Sequence, residues 1–518
     1  MAAIQSSSNL ASGNKSSGNQ SPGNLIVKNA LVLPSAHAPA LPHTDILIEQ
    51  GVITALGPDL AHPPDCAVVD ATHRLVAPGL INGHFHSHEH FHKGRFDNLP
   101  LELWMHFVRP PVPPPALTPD QVYLRTLIGA IEALRTGTTF VVDDVNQAPQ
   151  LSIDCIEAVF RAYDDIGLRA LVSVSLYDLP FYRAVPFFDE EMPAAQRQAL
   201  DRQGAPNRDR QLDIAHHLAK TRHPRQHRVG YVVAPSAPQR CTAAFLKELA
   251  ALAETYDLPM ILHLLETRLQ AVTGQLFYQR SMVDYLDDLG VLSERLALQH
   301  CVWLTPDDIE TLSRSGASAV YNPLSNLKLG SGSMPLRSFL AANVNVALAS
   351  DGCGSRDSVN MLSVVQAAAL LNKSPHDPPE QWVSAAEAFH CGTVGGAKAF
   401  GHGSDLGKIA VGYQADLVGY RCDRMPFVPL NHPLRQLTYA ETGGSVDLVI
   451  VDGAVVMENS RLITLDEPQI IEKICELHRQ LLPNLEASEA TVKELLPYYR
   501  RIYDRCLEQD IDPYYSQR

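Results

Sequence analysis

The sequence predicts an α/β protein built around a (β/α)8 TIM-type barrel, with a β-sandwich domain assembled from both flanks and a C-terminal helical segment. Three observations carry that prediction. The chain has 518 residues, too many for one ordinary domain. Its middle alternates short apolar runs with helix-length amphipathic segments, the signature of βα units and a parallel sheet. Short runs punctuated by Pro and Gly precede that middle and return after it.

Taken in order, residues 1–23 (MAAIQSSSNLASGNKSSGNQSPG) are rich in Ser, Asn and Gly and offer too little apolar surface to offset ordering, so a disordered tail is expected. Residues 24–77 contain NLIVKNALVLP, TDILIEQGVITALG and CAVVDATHRLVAP, and 405–460 contain DLGKIAVGYQADLVGY and DLVIVDGAVV. These two sets are expected to pair as the β-sandwich domain, with the barrel at 78–404 inserted between them and helices at 461–518.

Eight candidate barrel strands can be counted in the middle. They are VAPGLINGH ending at His84, GTTFVVDD from Gly137, LRALVSVSLY from Leu168, RVGYVVAP from Arg228, LPMILH ending at His263, RLALQH ending at His300, ASAVYNP from Ala317 and VNVALASD ending at Asp351. Eight is the number that closes such a barrel. TPDQVYLRTLIGAIEALRTG, from Thr118, has 3.6-residue apolar spacing with cap residues at both ends and supplies an outer helix. The segment from about Phe181 to Gln226 is long and polar for a connection and is expected to contribute a loop or lid over the site. IIEKICELHRQLLPNL and ATVKELLPYYRRIYDRCLEQ read as helices that pack on the barrel or on a sister subunit.

Composition narrows the function. A net charge of −15 without clustered Lys and Arg argues against nucleic-acid and anionic-membrane partners. Nine scattered cysteines with no CxxC pair suggest neither a disulfide framework nor a thiolate zinc site, and point to a reducing, cytoplasmic setting. No apolar run of membrane-spanning length and no signal-peptide pattern is visible.

Chemistry converges where the strands end. His84, His263, His300 and Asp351 each close an apolar run, and in a barrel those ends form the mouth where active sites are built. His86 shares strand parity with His84, so both imidazoles can reach one ion. With His263 and Asp351 they make a set of three nitrogens and a carboxylate, which suits Zn²⁺ or Fe²⁺ better than Mg²⁺ or Ca²⁺. The first cluster, GHFHSHEHFHKG, repeats His at every second position through His92, and parity alone does not choose among them. The PGLING lead-in places the strand end near His84, which assigns His88, His90 and His92 to the following loop, lining the pocket or solvated.

On PGLINGHFH, HLLE (His263 to Glu266), QHCVWL, NPLSNLKLGSG and SDG, the chain resembles the amidohydrolase superfamily, and within it the branch of guanine and cytosine deaminases and triazine chlorohydrolases. GKIAVGYQADLVGY and VDGAVV look like that family's closing β-domain, so the resemblance spans roughly residues 24 to 460. It implies one divalent metal ion per chain, zinc first and iron second, held by His84, His86, His263 and Asp351. A bridging carboxylated lysine is not expected, and VVAPS ends the fourth strand without a lysine. The resemblance further implies that Asp351 takes a proton from the nucleophilic water. His300 then hydrogen-bonds that water or the developing oxyanion, and Glu266 protonates a ring nitrogen and afterwards the leaving group. Gln239, Arg240, Trp104 and Asn322 are candidate substrate contacts, Trp104 together with Phe96 as a stacking surface for a flat heterocycle. A homo-oligomer is implied as well. Ser350 and Cys353 depart from the family's usual Thr and small residue, which puts direct transfer of substrate preference in doubt; Cys353 reads as a pocket thiol or a small buried hydrophobe.

The expected activity is hydrolytic deamination of an amino-substituted nitrogen heterocycle, a purine, pyrimidine, pterin or triazine. Hydrolysis of an amide, urea or carbamate bond, or hydrolytic dechlorination, is the alternative at the same site. A catalytically silent, metal-stabilised binding protein is the remaining class, and the presence of Glu266, His300 and Asp351 argues against it.

Overall fold

The computed structural model describes residues 23–146, 152–202 and 206–511. The expected tail therefore lies outside the described residues, apart from Gly23. The protein is a mixed α/β structure with parallel sheets at its centre.

All eight expected central strands form. Leu80–Phe85, Thr138–Val145 and Arg169–Leu176 pair in parallel, and Arg169–Leu176 also pairs with two short pieces, Val229–Tyr231 and Ala234–Pro235, that together occupy the fourth position. Met260–Leu264, Leu296–His300, Ser318–Tyr321 and Val346–Leu348 form a second parallel sheet. The first sheet meets the second through a parallel bridge between Val233 and Met260, where Ile261 N donates to Val233 O at 2.9 Å. At the opposite edges Asp351 N donates to His84 O at 3.0 Å, and Ser350 N donates to Asn82 Oδ1 at 2.9 Å. One buried apolar cluster draws Ile81, Phe140, Leu171, Val232, Ile261, Ala297, Val320 and Ala347 from all eight strand positions.

Outer helices follow from sequence as expected. Pro119–Arg135 starts at Thr118, whose hydroxyl accepts from Gln121 N while Gln121 returns the bond to Thr118 N, a capping box with Pro at the first helical turn.

The flanking segments pair across the chain, but as one continuous nine-stranded sheet where two facing sheets were expected. Arg74–Pro78 is the link: it pairs in parallel with Leu25–Val32 and antiparallel with Leu417–Arg421. Leu25, Val27, Ile46, Ile53, Leu417 and Ile450 come together in a core of this sheet's own. The long connection read as a loop is largely helical, with helices at Phe188–Glu191, Ala194–Asp201 and Arg208–Thr221. No helix among the described residues is long and apolar enough to cross a membrane.

Helices Glu467–Val492 and Leu496–Glu508 pack on the rest of the same chain. Arg135 forms an ion pair with Glu467, Arg95 one with Glu489, and Arg501 and Arg505 both hold Glu191.

Candidate active site

The strand ends carry side chains to one place because the backbone turns sharply there. Leu265, His300, Cys301 and Asp351 have φ of 48°, 71°, 51° and 63°, the left-handed region that costs a non-glycine residue about 1–2 kcal/mol. Such conformations persist only where the surroundings over-determine them. Around Asp351 the determinants are Asn82, which accepts from Ser350 N and donates to Ser350 Oγ at 2.7 Å, and Ser325, whose hydroxyl donates to Asp351 Oδ2 at 2.5 Å.

The four expected ligands converge. His86 Nε2 lies 3.5 Å and His84 Nε2 3.8 Å from Asp351 Oδ1. His84 and His263 rings are centred 4.8 Å apart, and His86 and His263 stack at 5.5 Å. Donor atoms of His84, His86 and Asp351 lie within 4.8 Å of one another, as do those of His84, His263 and His300, so His84 is common to both sets. The imidazole tautomers suit an ion: His86 Nδ1 donates to Asp144 O and His263 Nδ1 to Ser236 O, each at 2.8 Å, leaving both Nε2 lone pairs facing inward. Both ring nitrogens of His84 are buried without a hydrogen-bond partner, an arrangement that is expensive unless something binds there.

Electrostatics agree with that reading. Burial, helped by the neighbouring imidazoles, holds His84 and His263 well below the usual histidine pKa, so both are neutral at pH 7, the form that can bind an ion. Burial alone would raise the Asp351 carboxyl, but His300, His86, and the hydrogen bonds from Ser325 and Gly352 outweigh it and keep it ionised. Burial likewise works against charging His86, and the carboxylates of Glu89, Asp351 and Asp144 overcome it.

Glu266 faces the cavity beside this centre, 4% exposed, with Oε2 3.6 Å from His300 Nε2 and Oε1 without a partner. Burial first, then the carboxylates of Asp351, Glu102 and Glu89, push its pKa well above the ordinary range. His300 Nδ1 donates to Asn326 Oδ1 at 3.0 Å, which leaves its Nε2 as an acceptor towards the cavity.

Gln239, Arg240 and Trp104 line the same cavity. Trp104 is anchored by its indole N–H on Gly354 O at 3.1 Å, whereas Phe96 packs behind it with Leu101 and Leu329 and is absent from the cavity wall. Asn322 does not reach the cavity: it is fully buried and its amide donates to Val320 O, two residues back in the same strand. Cys353 is a small buried hydrophobe rather than a pocket thiol, its pKa pushed up to about 12 by burial.

His88, His90 and His92 lie in a 3-10 turn, Ser87–His92, rather than an open loop; His90 is buried, while His88 and His92 are half-buried and line a space that adjoins the cavity. His90 is 2% exposed and donates through Nδ1 to Arg125 O at 2.9 Å, with its pKa pushed down to about 4 by burial. None of the three belongs to a metal-binding cluster among the described residues.

The cavity wall also holds residues that pattern reading missed. Glu89, from the His-rich turn, is 3% exposed and accepts from Gly354 N. Glu102 and Arg109 come from the helix Leu101–Val108 and its cap, Phe181 from the long connection, and Tyr499 and Ile502 from the helix Leu496–Glu508. Glu89 carried a signal, an acid inside a histidine run; Tyr499 and Ile502 carried none, being ordinary apolar positions of an amphipathic helix.

Two consequences are measurable here. Gly352 packs so tightly that a Cβ would sit 2.0 Å from Glu89 Oε2 and 3.3 Å from His86 Cβ. Gly352→Ala is therefore expected to cost roughly 1–3 kcal/mol in thermal unfolding and to lower bound metal, because the strain falls on a ligand; unchanged unfolding would refute the packing. Glu89 has its pKa raised from 4.5 to about 7, burial being the largest cause. The folded state then binds more protons than the unfolded one between those values, so stability falls as pH rises through that window. Relative to Glu89→Gln, metal-free wild type is expected to lose roughly 3 kcal/mol across it, read by denaturant titration at each pH. Parallel curves would show that Glu89 does not titrate there.

An α/β chain whose parallel strands end in neutral, buried imidazoles and an ionised carboxylate, facing a cavity with a buried Glu, belongs to the class of metal-centred hydrolase scaffolds. More particularly, the chain belongs to the amidohydrolase family, whose model matches residues 75–456. It is 32% identical over 454 residues to the 5-methylthioadenosine/S-adenosylhomocysteine deaminase of Pyrococcus furiosus, covering 88% of this chain and 100% of that one. It is 31% identical over 427 residues to the 5'-deoxyadenosine deaminase of Methanothermobacter thermautotrophicus, covering 82% and 92%. Among solved structures, an adenosine deaminase from Xanthomonas campestris with bound zinc superposes with a TM-score of 0.77 at 28% identity, covering 90% of this chain and 100% of that one.

Proposed function

We propose that the protein is a zinc-dependent hydrolytic deaminase acting on the exocyclic amino group of an adenine nucleoside. The observation that carries this reading is Glu266: a carboxyl group 4% exposed in the cavity wall, 3.6 Å from His300 Nε2 beside the metal-binding cluster, whose pKa burial and three neighbouring carboxylates push well above the ordinary range. Deamination of an aromatic ring needs such a donor, because protonating a ring nitrogen is what makes the amino-bearing carbon electrophilic. The relatives, two named for adenine nucleosides and one for adenosine, supply the substrate class.

A divalent ion held by His84, His86, His263 and Asp351 supplies a Lewis acid that makes an attacking water acidic at neutral pH. This chain's residues do the rest. His300 Nε2 accepts from the attacking water and orients it, a role that its bond to Asn326 favours over donation to an oxyanion. Asp351 takes the water's proton and passes it to the departing amine, Glu266 delivers its own to the ring nitrogen and regains one from the new hydroxyl as the carbonyl forms, and Trp104 bounds the cavity beside the ring.

The same reading closes the two parallel sheets into one (β/α)8 barrel at residues 78–404. It is supported by the hydrogen bonds at both seams and by an interior cluster fed from every strand position. Residues 24–77 with 405–460, and 461–518, are then the accessory units. Nine free cysteines suit a reducing cytoplasm.

The test is metal analysis of the purified protein together with ammonia release from adenosine, 5'-deoxyadenosine and 5-methylthioadenosine. About one zinc per chain with ammonia released supports the reading. Metal without ammonia from any amino-heterocycle redirects it to amides, ureas, carbamates and carbon–chlorine bonds.

A further inference from the structure

Beside the cavity at Glu266 lies a second, wider space lined by Arg109, Arg125 and Arg240. His106, Arg109, Phe181, Arg240 and Tyr499 face both spaces, so the two adjoin along one wall. Arg125 and Arg240 are 8% and 6% exposed, and Nε of all three arginines is buried without a hydrogen-bond partner, as is Nη1 of Arg109.

No carboxylate among the described residues forms an ion pair with any of the three. Glu489, the acid among the described residues of this wall, is already bound by Arg95 Nε at 2.8 Å and Nη2 at 2.9 Å. Asp143, near Arg125, is taken by Ser87 N at 2.9 Å and the Tyr163 hydroxyl at 2.8 Å. Glu89, near Arg109, accepts from Gly354 N at 3.3 Å. Arg240 is steadied by Ser236 Oγ at 3.0 Å and by the Tyr177 ring, 4.0 Å from its guanidinium carbon, neither of which cancels its charge. Burial pulls Arg125 and Arg240 down only to about 10, so both stay charged at neutral pH. Three cations without an ion-pair partner in one chamber are costly in any protein, and out of character in a chain of net charge −15.

We propose that this chamber binds an anionic group, a carboxylate, sulfate or phosphate, carried by the part of the substrate that extends away from its reacting ring. The assignment rests on the deaminase reading for the position of that ring, while the anion site itself rests on the arginines. Guanidinium groups that line a cavity wall without an ion-pair partner are suited to recognising such oxyanions.

Calorimetric titration of inorganic sulfate into the zinc-loaded full chain tests the site directly. One saturable site per chain is expected, weakened at least about tenfold by Arg109→Gln and less by Arg240→Lys, which keeps the charge. No saturable binding to wild type, or unchanged affinity in Arg109→Gln, overturns the proposal. In parallel, kcat/KM for ammonia release is compared between AMP and adenosine. The phosphorylated substrate is expected to be favoured at least about tenfold, with the preference collapsing in Arg109→Gln. Sulfate binding that depends on Arg109, with neither nucleoside turned over, keeps the anion site and sinks the deaminase reading. Adenosine turnover without sulfate binding does the reverse.

Discussion

Glu266→Gln is expected to lower kcat/KM for ammonia release by about 10³-fold while leaving metal content and thermal unfolding close to wild type. Glutamine matches glutamate in shape and hydrogen-bonds the same neighbours, but it has no proton to give a ring nitrogen. The loss should therefore fall on the chemical step. Stability should not suffer, because wild-type Glu266 is buried with an unpartnered Oε1 and its surroundings disfavour the charged form, so the substitution relieves rather than adds a buried penalty. Steady-state kinetics, with zinc analysis on the same samples, checks this. A variant that keeps a tenth or more of wild-type activity would remove Glu266 from the proton path.

Asp351→Asn should act more severely and through a different route, with turnover down about 10⁴-fold and zinc retention lost together. Among the four proposed ligands Asp351 is the anion; His84 and His263 are held neutral by burial and by one another. Removing that charge takes away the largest attraction for a cation. It also leaves the Ser325 hydroxyl and Gly352 N, which now donate to a carboxylate, facing an amide. Metal titration of the variant separates the two effects: activity that returns to wild type once zinc is supplied in excess would show that Asp351 binds the ion without moving a proton.

Much of this centre was legible because sequence periodicity and strand ends are local properties. His84, His263, His300 and Asp351 each close a hydrophobic run, and a parallel sheet carries such positions to one edge whatever the intervening helices contain. Asn322 failed for a related reason. It too follows a strand, but its amide turns back onto Val320 O within the strand, and nothing in NPLSNLKLGSG encodes that bond. The His88, His90 and His92 run was assigned to a loop that lines the pocket or is solvated, whereas the chain coils into a 3-10 turn in which His90 donates to Arg125 O and His88 accepts from Asn146 N. The sandwich was read from two matching sets of strands; that Arg74–Pro78 would join them edge to edge depends on register, which hydrophobic pattern specifies only weakly in strands this short.

Tyr499 and Ile502 of the helix Leu496–Glu508 close the cavity, yet they are synthesised more than four hundred residues after His84. The wall of the cavity is thus completed by residues from the far end of the chain, so a chain cut before this helix would carry every proposed ligand and lack part of the wall that bounds Glu266.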